Sequence, residues 1–192
     1  MPLIRQSPAE KPVALKAMAG LATETLYVCG REVYRRSPWK RLLNWRVAWE
    51  SRPAALVQRL RAVDYRYQRM VIRPVSDYLA MVMALTHQDA AIARMMAEKA
   101  PSTGVLAAVQ GLAEFGYDQV ILSGFSFEIT HAYANNPVIG ERGTTASKHA
   151  DTDIAVLAAI AGATGRLGTT ETIVAERAGL PLLAGAVATA VA

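Results

Sequence analysis

Residues 101–125 read PSTGVLAAVQGLAEFGYDQVILSGF and contain both a helical pattern and a strand pattern. The first part predicts a helix from Pro101-Ser-Thr-Gly104 to about Phe115, because Ser102 suits the N-cap position and an apolar run follows. The second part, 118–124, predicts a short apolar strand that closes on glycine. A helix followed directly by a short apolar strand is typical of an α/β sheet.

Outward from this stretch, helices and strands alternate along the chain. Strands are predicted over 25–29 and 67–72, a loop over 135–140, and helices over 9–21, 39–49, 53–63, 75–99, 151–163 and 171–178. The alternation favours a single Rossmann-like α/β domain over residues 1–192, with a mostly parallel sheet flanked by helices. Gly30 and the Gly124-Phe-Ser stretch should lie beyond the C-terminal strand ends, where such sheets bind ligands.

Composition excludes several classes of protein. Of the 192 residues, 52% are apolar and 19% charged, which is a globular balance. Cys29 is the sole cysteine, which excludes an internal disulfide framework and a cysteine-based zinc site and favours a reducing compartment. Residues 1–15 lack a signal-peptide core, and the weakly polar run 180–192 is shorter than the roughly 20 residues of a membrane span. We therefore expect a cytoplasmic location.

The net charge of +5 is concentrated in one stretch. Between Arg31 and Arg73 the sequence has twelve arginine or lysine residues and three acidic ones. Such a field favours anionic partners (phosphates, acidic glycans, nucleic acid or a membrane surface), and the alternative is a solvated arginine-rich face. Aromatic residues interleaved with these charges suit stacking on bases, and equally packing on a helix: Tyr34, Trp39, Trp45, Trp49, Tyr65 and Tyr67.

Two groups of residues are candidates for chemistry. The helix start at Ser102, Thr103 and Gly104 presents free backbone N–H groups that suit a phosphate or a ribose hydroxyl, although most such starts only cap a helix. His131 and His149 flank one polar loop, and two such histidines can neutralise a phosphate and remove a proton from a hydroxyl near neutral pH. The alternative is that they are uninvolved loop residues.

Other polar residues are given structural roles. His87 is predicted to lie in the middle of a helix. Asp151 and Asp153 open a helix, where carboxylates are favoured by the helix dipole, so no metal site is predicted there. The sequence has no P-loop, GxGxxG, GxSxG or HExxH motif.

The order and spacing of the candidates resemble the motifs of animal-type sialyltransferases, glycosyltransferase family 29. Residues 101–125 resemble the small sialyl motif, with its Pro-Ser-Thr/Ser-Gly helix start, Asp-x-Val strand and terminal Gly-Phe, here Gly124-Phe125. His131-Ala-Tyr133 is similar to the third motif, and His149 to the very small motif.

The sequence departs from the family pattern at three points. Tyr117 stands where the small motif usually has cysteine. The very small motif has Glu five positions after its histidine; here that residue is Ile154, and Asp153 stands one residue earlier. No large sialyl motif is found, which fits a chain that lacks the first strands of a complete domain.

The resemblance implies a Rossmann-like domain of the GT-A variant type and a metal-independent, inverting transfer. An acidic sugar of the sialic acid or Kdo type would move from a CMP-activated donor to a glycan hydroxyl, with no cofactor. His149 would be the general base and His131 a second catalytic residue at the donor phosphate. The residues implied at the donor are Ser102, Thr103, Gly104, Gly124, Phe125 and Tyr133.

The alanine- and arginine-rich composition favours a bacterial source, and with the resemblance it indicates polysaccharide biosynthesis. The acceptor would then be a surface polysaccharide or lipopolysaccharide, and the basic 31–73 stretch would contact the inner membrane peripherally. Exposed edge strands of an incomplete sheet would favour a homodimer. The alternative function is non-catalytic. In it, a basic binding module, or a degenerate remnant of the transferase fold, contacts nucleic acid or an anionic membrane or glycan through the same stretch.

Overall fold

The computed structural model describes residues 19–30, 52–128 and 147–183. The helix predicted over 39–49 and the loop predicted over 135–140 lie outside these residues. Of the helix predicted over 9–21, only the end is described, and it forms a turn at Gly20, whose φ is 72°. The chain divides into two compact units, Met1–Val75 and Ser76–Ala192. The prediction of one domain over residues 1–192 stays a prediction.

The first unit is built around a parallel pair of strands. Strand β1 (Ala22–Gly30) pairs with β2 (Arg66–Pro74) along their whole length, and helix α1 (Pro53–Arg61) lies between them in sequence. Pro53 opens α1, which it can do because its missing N–H has no helical partner at that position. Leu56 and Leu60, four residues apart, are the buried side chains of α1. Both strands predicted in this part of the chain are therefore confirmed, with longer bounds than expected.

The second unit alternates helices with two very short strands. In chain order its elements are α2 (Val75–Leu85), α3 (Ala90–Glu98), α4 (Thr103–Ala113), β3 (Val120–Leu122), α5 (Ala150–Thr164), β4 (Leu167–Thr169) and α6 (Thr172–Ala178). Strands β3 and β4 are parallel, with Val120 opposite Leu167. The core is formed by the facing apolar stripes of the helices, with fully buried side chains at Val105, Val109, Val156, Leu157, Ile160 and Val174.

The prediction of one long helix over 75–99 is wrong, because the chain turns between α2 and α3. His87 and Gln88 have φ values of 52° and 66°, which no helix interior allows. Asp89 then starts α3, since its carboxylate accepts hydrogen bonds from the backbone N–H groups of Ala91 (2.8 Å) and Ile92 (3.2 Å). His87 therefore lies in an exposed turn and not in the middle of a helix.

The fold class is confirmed at the level of a mixed α/β protein with parallel strands. Among the described residues the strands form two separate two-stranded sheets, β1–β2 and β3–β4, instead of one larger sheet. Gly30 ends β1 and Gly124 follows β3, so each glycine does lie at a C-terminal strand end, but of different sheets. In the described part of the chain, no helix has the length and apolar character needed to cross a membrane.

Candidate functional site

The N-terminus of α4 is open to solvent at Thr103 and Gly104. Ser102 occupies the N-cap position, as predicted, but its hydroxyl makes no capping hydrogen bond. The Ser102 Oγ atom is instead buried without a hydrogen-bond partner within the described ranges. The N–H groups of Thr103 and Gly104 also find no acceptor among the residues that the structure describes, as expected for the first turn of a helix. This helix end therefore presents partial positive charge to solvent.

Phe125 covers one side of the same helix end. A Cβ atom added at Gly104 would lie 2.7 Å from Phe125 Cε2, closer than real Cβ atoms approach, so the ring packs directly on the glycine backbone. Phe125 also meets Phe127 edge to face, with 5.7 Å between ring centroids. The Arg177 guanidinium lies over the Phe127 ring, 5.2 Å from its centroid. One side of the Gly104 backbone is thus in close contact with an aromatic ring of the chain itself.

Gly124 supplies the turn that brings Phe125 to this position. Its φ of 65° lies in the left-handed region, which glycine adopts without strain. The Gly124 N–H donates to Glu171 Oε1 at 2.8 Å, so the turn after β3 is tied to the residue that precedes α6. Glu171 was not singled out by sequence reasoning.

His149 lies at the start of α5, half-buried, with its ring against the segment that precedes α4. Its Nδ1 atom is 2.7 Å from the Ala100 carbonyl oxygen. Because a carbonyl oxygen can only accept, Nδ1 carries the hydrogen in this bond. In the neutral imidazole the lone pair is then on Nε2, the atom that can take a proton.

Asp153 is one helical turn after His149, and its side chain is only 2% exposed. Asp153 Oδ1 accepts the Ser102 N–H at 2.6 Å. Burial raises the pKa of the Asp153 carboxyl, and this rise is opposed by the Ser102 N–H, the Ser102 hydroxyl, His149 and Lys99. The Ser102 hydroxyl is near enough to favour the carboxylate, although its oxygen completes no hydrogen bond of normal geometry.

Asp153 does lie in the first turn of α5, as predicted, but its carboxylate also makes a contact outside this helix. Asp151 is exposed in the first turn of α5, as expected of a carboxylate favoured by the helix dipole. The Asp153 carboxylate instead accepts a hydrogen bond from the N–H of Ser102, the residue that precedes α4. The sequence signal for this role of Asp153 is its spacing from His149. The two residues are four positions apart, and positions i and i+4 lie on one face of a helix.

Two further hydrogen bonds, both made by Ser147, connect Phe127 to His149. The Ser147 N–H donates to the Phe127 carbonyl at 2.9 Å, and Ser147 Oγ accepts the His149 N–H at 3.2 Å. The structure thus brings Ser102, Gly104, Phe125 and His149 into one neighbourhood around the start of α4. Thr103 lies on its exposed edge.

Two predicted site residues, His131 and Tyr133, lie outside the described residues. So do residues 31–51, which carry half of the basic side chains of the 31–73 stretch. In the described part of that stretch Asp64 and Arg66 form an exposed ion pair at 3.0 Å. An open depression of about 410 Å³ lies along the start of β1 and β2 and contains none of the candidate residues; its lining is Ala22, Thr23, Glu24, Arg66, Tyr67 and Gln68.

Among the described ranges, no group of three or more His, Cys, Asp or Glu side chains is placed so that it could hold a metal ion. Comparisons of the chain with known protein families, with curated proteins and with solved structures found no match.

Proposed function

We propose that the protein is a glycosyltransferase that moves an acidic sugar from a CMP-activated donor to a glycan hydroxyl. The proposal includes a Rossmann-like domain of the GT-A variant type, as the sequence motifs imply. The observation that carries it is the meeting of a proton-accepting histidine with an open helix N-terminus. His149 is held through Nδ1 beside the start of α4, where Thr103 and Gly104 are exposed.

The open helix end suits the phosphate of the donor. Backbone N–H groups and the helix dipole favour the negative charge of the donor's phosphodiester, and they favour still more the second charge that the phosphate gains as CMP leaves. The Thr103 and Gly104 N–H groups have no acceptor among the described residues. Phe125 is half-buried and packed on Gly104, so the exposed part of its ring is next to this phosphate position. An aromatic face beside a phosphate site suits a nucleoside monophosphate, because the base can stack on the ring.

The proposed reaction is a direct displacement at the anomeric carbon of the donor sugar. The acceptor hydroxyl oxygen forms a bond to that carbon, and the bond from the carbon to the phosphate oxygen breaks. The electron pair of the broken bond leaves with CMP, and His149 Nε2 takes the proton of the acceptor hydroxyl. Positive groups around the departing phosphate replace the charge that a metal ion would supply.

The remaining parts of the proposal come from the motif resemblance. His131 and Tyr133 would contact the donor phosphate. The donor sugar would be of the sialic acid or Kdo type, and the acceptor a surface polysaccharide or lipopolysaccharide at the inner face of a bacterial membrane. The excess of positive charge in the 31–73 stretch supports an acidic donor and acceptor, because opposite charge raises the local substrate concentration.

Isothermal titration calorimetry with CMP tests the proposal. We expect CMP to bind the full chain in the presence of EDTA and cytidine to bind far more weakly, since cytidine lacks the phosphate that the helix end would hold. Failure of CMP to bind the folded chain would contradict the proposal. Salt-dependent binding of single-stranded nucleic acid without a response to CMP would instead support the non-catalytic basic module.

A further inference from the structure

Both ends of the three-residue segment Ala100-Pro101-Ser102 are held by side chains at the start of α5: His149, its N-cap residue, and Asp153, in its first turn. The Ala100 carbonyl accepts from His149 Nδ1 at 2.7 Å, and the Ser102 N–H donates to Asp153 Oδ1 at 2.6 Å. The two side chains are four residues apart on one helix, so they leave α5 on the same face. The segment and the helix therefore form a closed ring of contacts that includes His149.

The segment between these two contacts is stiff. Pro101 is buried, and its ring fixes its own φ near −65°. A proline also restricts the residue before it to extended conformations, which here is Ala100. Because neither residue can rotate freely, a restraint at Ser102 is transmitted to the carbonyl of Ala100.

From this geometry we infer that Asp153 is a positioning residue for His149, acting through the Ala100-Pro101-Ser102 segment. Its carboxylate fixes the Ser102 end, and the fixed Ala100 carbonyl then keeps the imidazole in the form protonated at Nδ1, with the Nε2 lone pair available. The consequence for catalysis rests on the proposed function, but the effect on the imidazole does not.

Two substitutions distinguish the negative charge of Asp153 from its role as the hydrogen-bond acceptor of Ser102. Asp153→Asn keeps an oxygen that can accept the Ser102 N–H, and its new NH₂ group has the unpartnered Ser102 Oγ atom as an acceptor nearby. Asp153→Ala removes the acceptor and leaves the Ser102 N–H and hydroxyl buried without partners. The role in positioning thus predicts that Asn preserves the state of His149 and that Ala does not.

The test is ¹⁵N NMR of the full chain with labelled histidine near pH 8, with the His149 signals assigned by loss in His149→Gln. In the unsubstituted chain and in Asp153→Asn, we expect the neutral His149 ring to carry its hydrogen on Nδ1. In Asp153→Ala, we expect signals that shift toward the Nε2-protonated form that free histidine prefers. His87, exposed in its turn, is the internal reference and should not change.

An unchanged His149 tautomer in folded Asp153→Ala would overturn the inference, and so would a change of equal size in Asp153→Asn. If Asp153→Ala does not fold, Asp153→Glu takes its place, because one extra methylene displaces the carboxylate from Ser102 while keeping the charge. CMP titration of the same samples keeps the two proposals apart. An Nδ1-protonated His149 in a chain that does not bind CMP would refute the proposed function and leave the role of Asp153 standing.

Discussion

Gly104→Ala is the substitution that most directly probes the packing of Phe125 on the start of α4. The new methyl group would lie 2.7 Å from Phe125 Cε2, so the ring has to retreat by about 0.7 Å to reach the 3.4 Å at which ordinary contact begins. Inserting a methyl group into a packed contact costs about 1–3 kcal/mol. Replacing glycine by alanine within a helix raises the free energy of unfolding by roughly 0.5–1 kcal/mol. We therefore expect a net loss of about 1 kcal/mol.

Gly162→Ala is the matched control. Gly162 is exposed in α5, and a Cβ atom there meets nothing within 4 Å. This variant should gain the full roughly 0.5–1 kcal/mol of helix propensity. The two Gly→Ala variants should thus differ in stability by about 1.5–2 kcal/mol, in opposite directions from the unsubstituted chain.

Urea unfolding followed by circular dichroism measures this difference as a shift in midpoint. CMP calorimetry on the same proteins measures the effect on the site, where we expect Gly104→Ala to weaken binding by about tenfold (~1.4 kcal/mol) and Gly162→Ala to leave it unchanged. Equal stabilisation by both substitutions, with equal CMP affinity, would show that Phe125 does not press on Gly104.

Three further predictions concern the second unit. Since burial raises the pKa of Asp153, the folded state binds this proton more tightly than the unfolded state, and the stabilisation present at low pH is lost as pH rises through the folded-state pKa. Asp153→Asn should therefore melt at a higher temperature than the unsubstituted chain at pH 7, and the difference in melting temperature should disappear on acidification below pH 3.8. The control Asp151→Asn, at an exposed position, should lose about 0.3–1 kcal/mol of helix-dipole stabilisation. A lower melting temperature for Asp153→Asn at pH 7 would contradict the effect of burial. Leu157→Ala should destabilise the second unit by about 2–5 kcal/mol in urea unfolding, because Leu157 is fully buried. Ile173 is 40% exposed, so Ile173→Ala should destabilise the unit far less. Similar losses of stability in the two variants would place Leu157 outside the core. Arg177→Met should lower the free energy of unfolding by about 0.5–1 kcal/mol because the contact with Phe127 is lost. Arg94 is exposed and has no aromatic neighbour among the described residues, so Arg94→Met should be near neutral. Equal effects of the two substitutions would refute the cation–π contact.

The elements that sequence reasoning predicted best are those with a local chemical signal at each end. α4 begins one residue after Ser102, as its N-cap pattern predicts. α6 ends at Ala178, directly before Gly179, whose φ of 65° is the left-handed conformation that favours glycine. The turn between α2 and α3 was missed because apolar residues continue through it at helical intervals. Leu85 and Ile92 are seven residues apart, which is two helical turns, so the polar run 86–89 between them did not break the helical spacing. Asp89, at the end of this run, carried the signal for a new helix start.

Other features depend on contacts that are distant in sequence. β4 is only three residues long, too short for a pattern of alternation, and it is defined by pairing with β3, 47 residues earlier. The tight packing at Gly168, where a Cβ atom would lie 2.8 Å from Leu183 Cδ1, is equally invisible in the local sequence.

The same holds within the candidate site. The sequence indicated His149 and the 101–104 helix start, but not the bond from Ser102 to Asp153, which joins residues 51 positions apart. The packing of Phe125 on Gly104 has no local sequence signal either, although the motif resemblance implies both residues in donor binding.

Sugar transfer from CMP-linked sialic acid and CMP-linked Kdo tests the central claim most directly, with CMP release measured by chromatography in the presence of EDTA and an acceptor glycan. We predict that the full chain releases CMP and forms the sugar–acceptor bond. His149→Ala should lower turnover by about 10²–10⁴-fold while CMP affinity stays within a few-fold, because a general base acts mainly in the transition state. His87→Asn, which suits the positive φ at an exposed turn, should retain full turnover. No CMP release by the folded chain, or equal loss of turnover in both histidine variants, would contradict the claim.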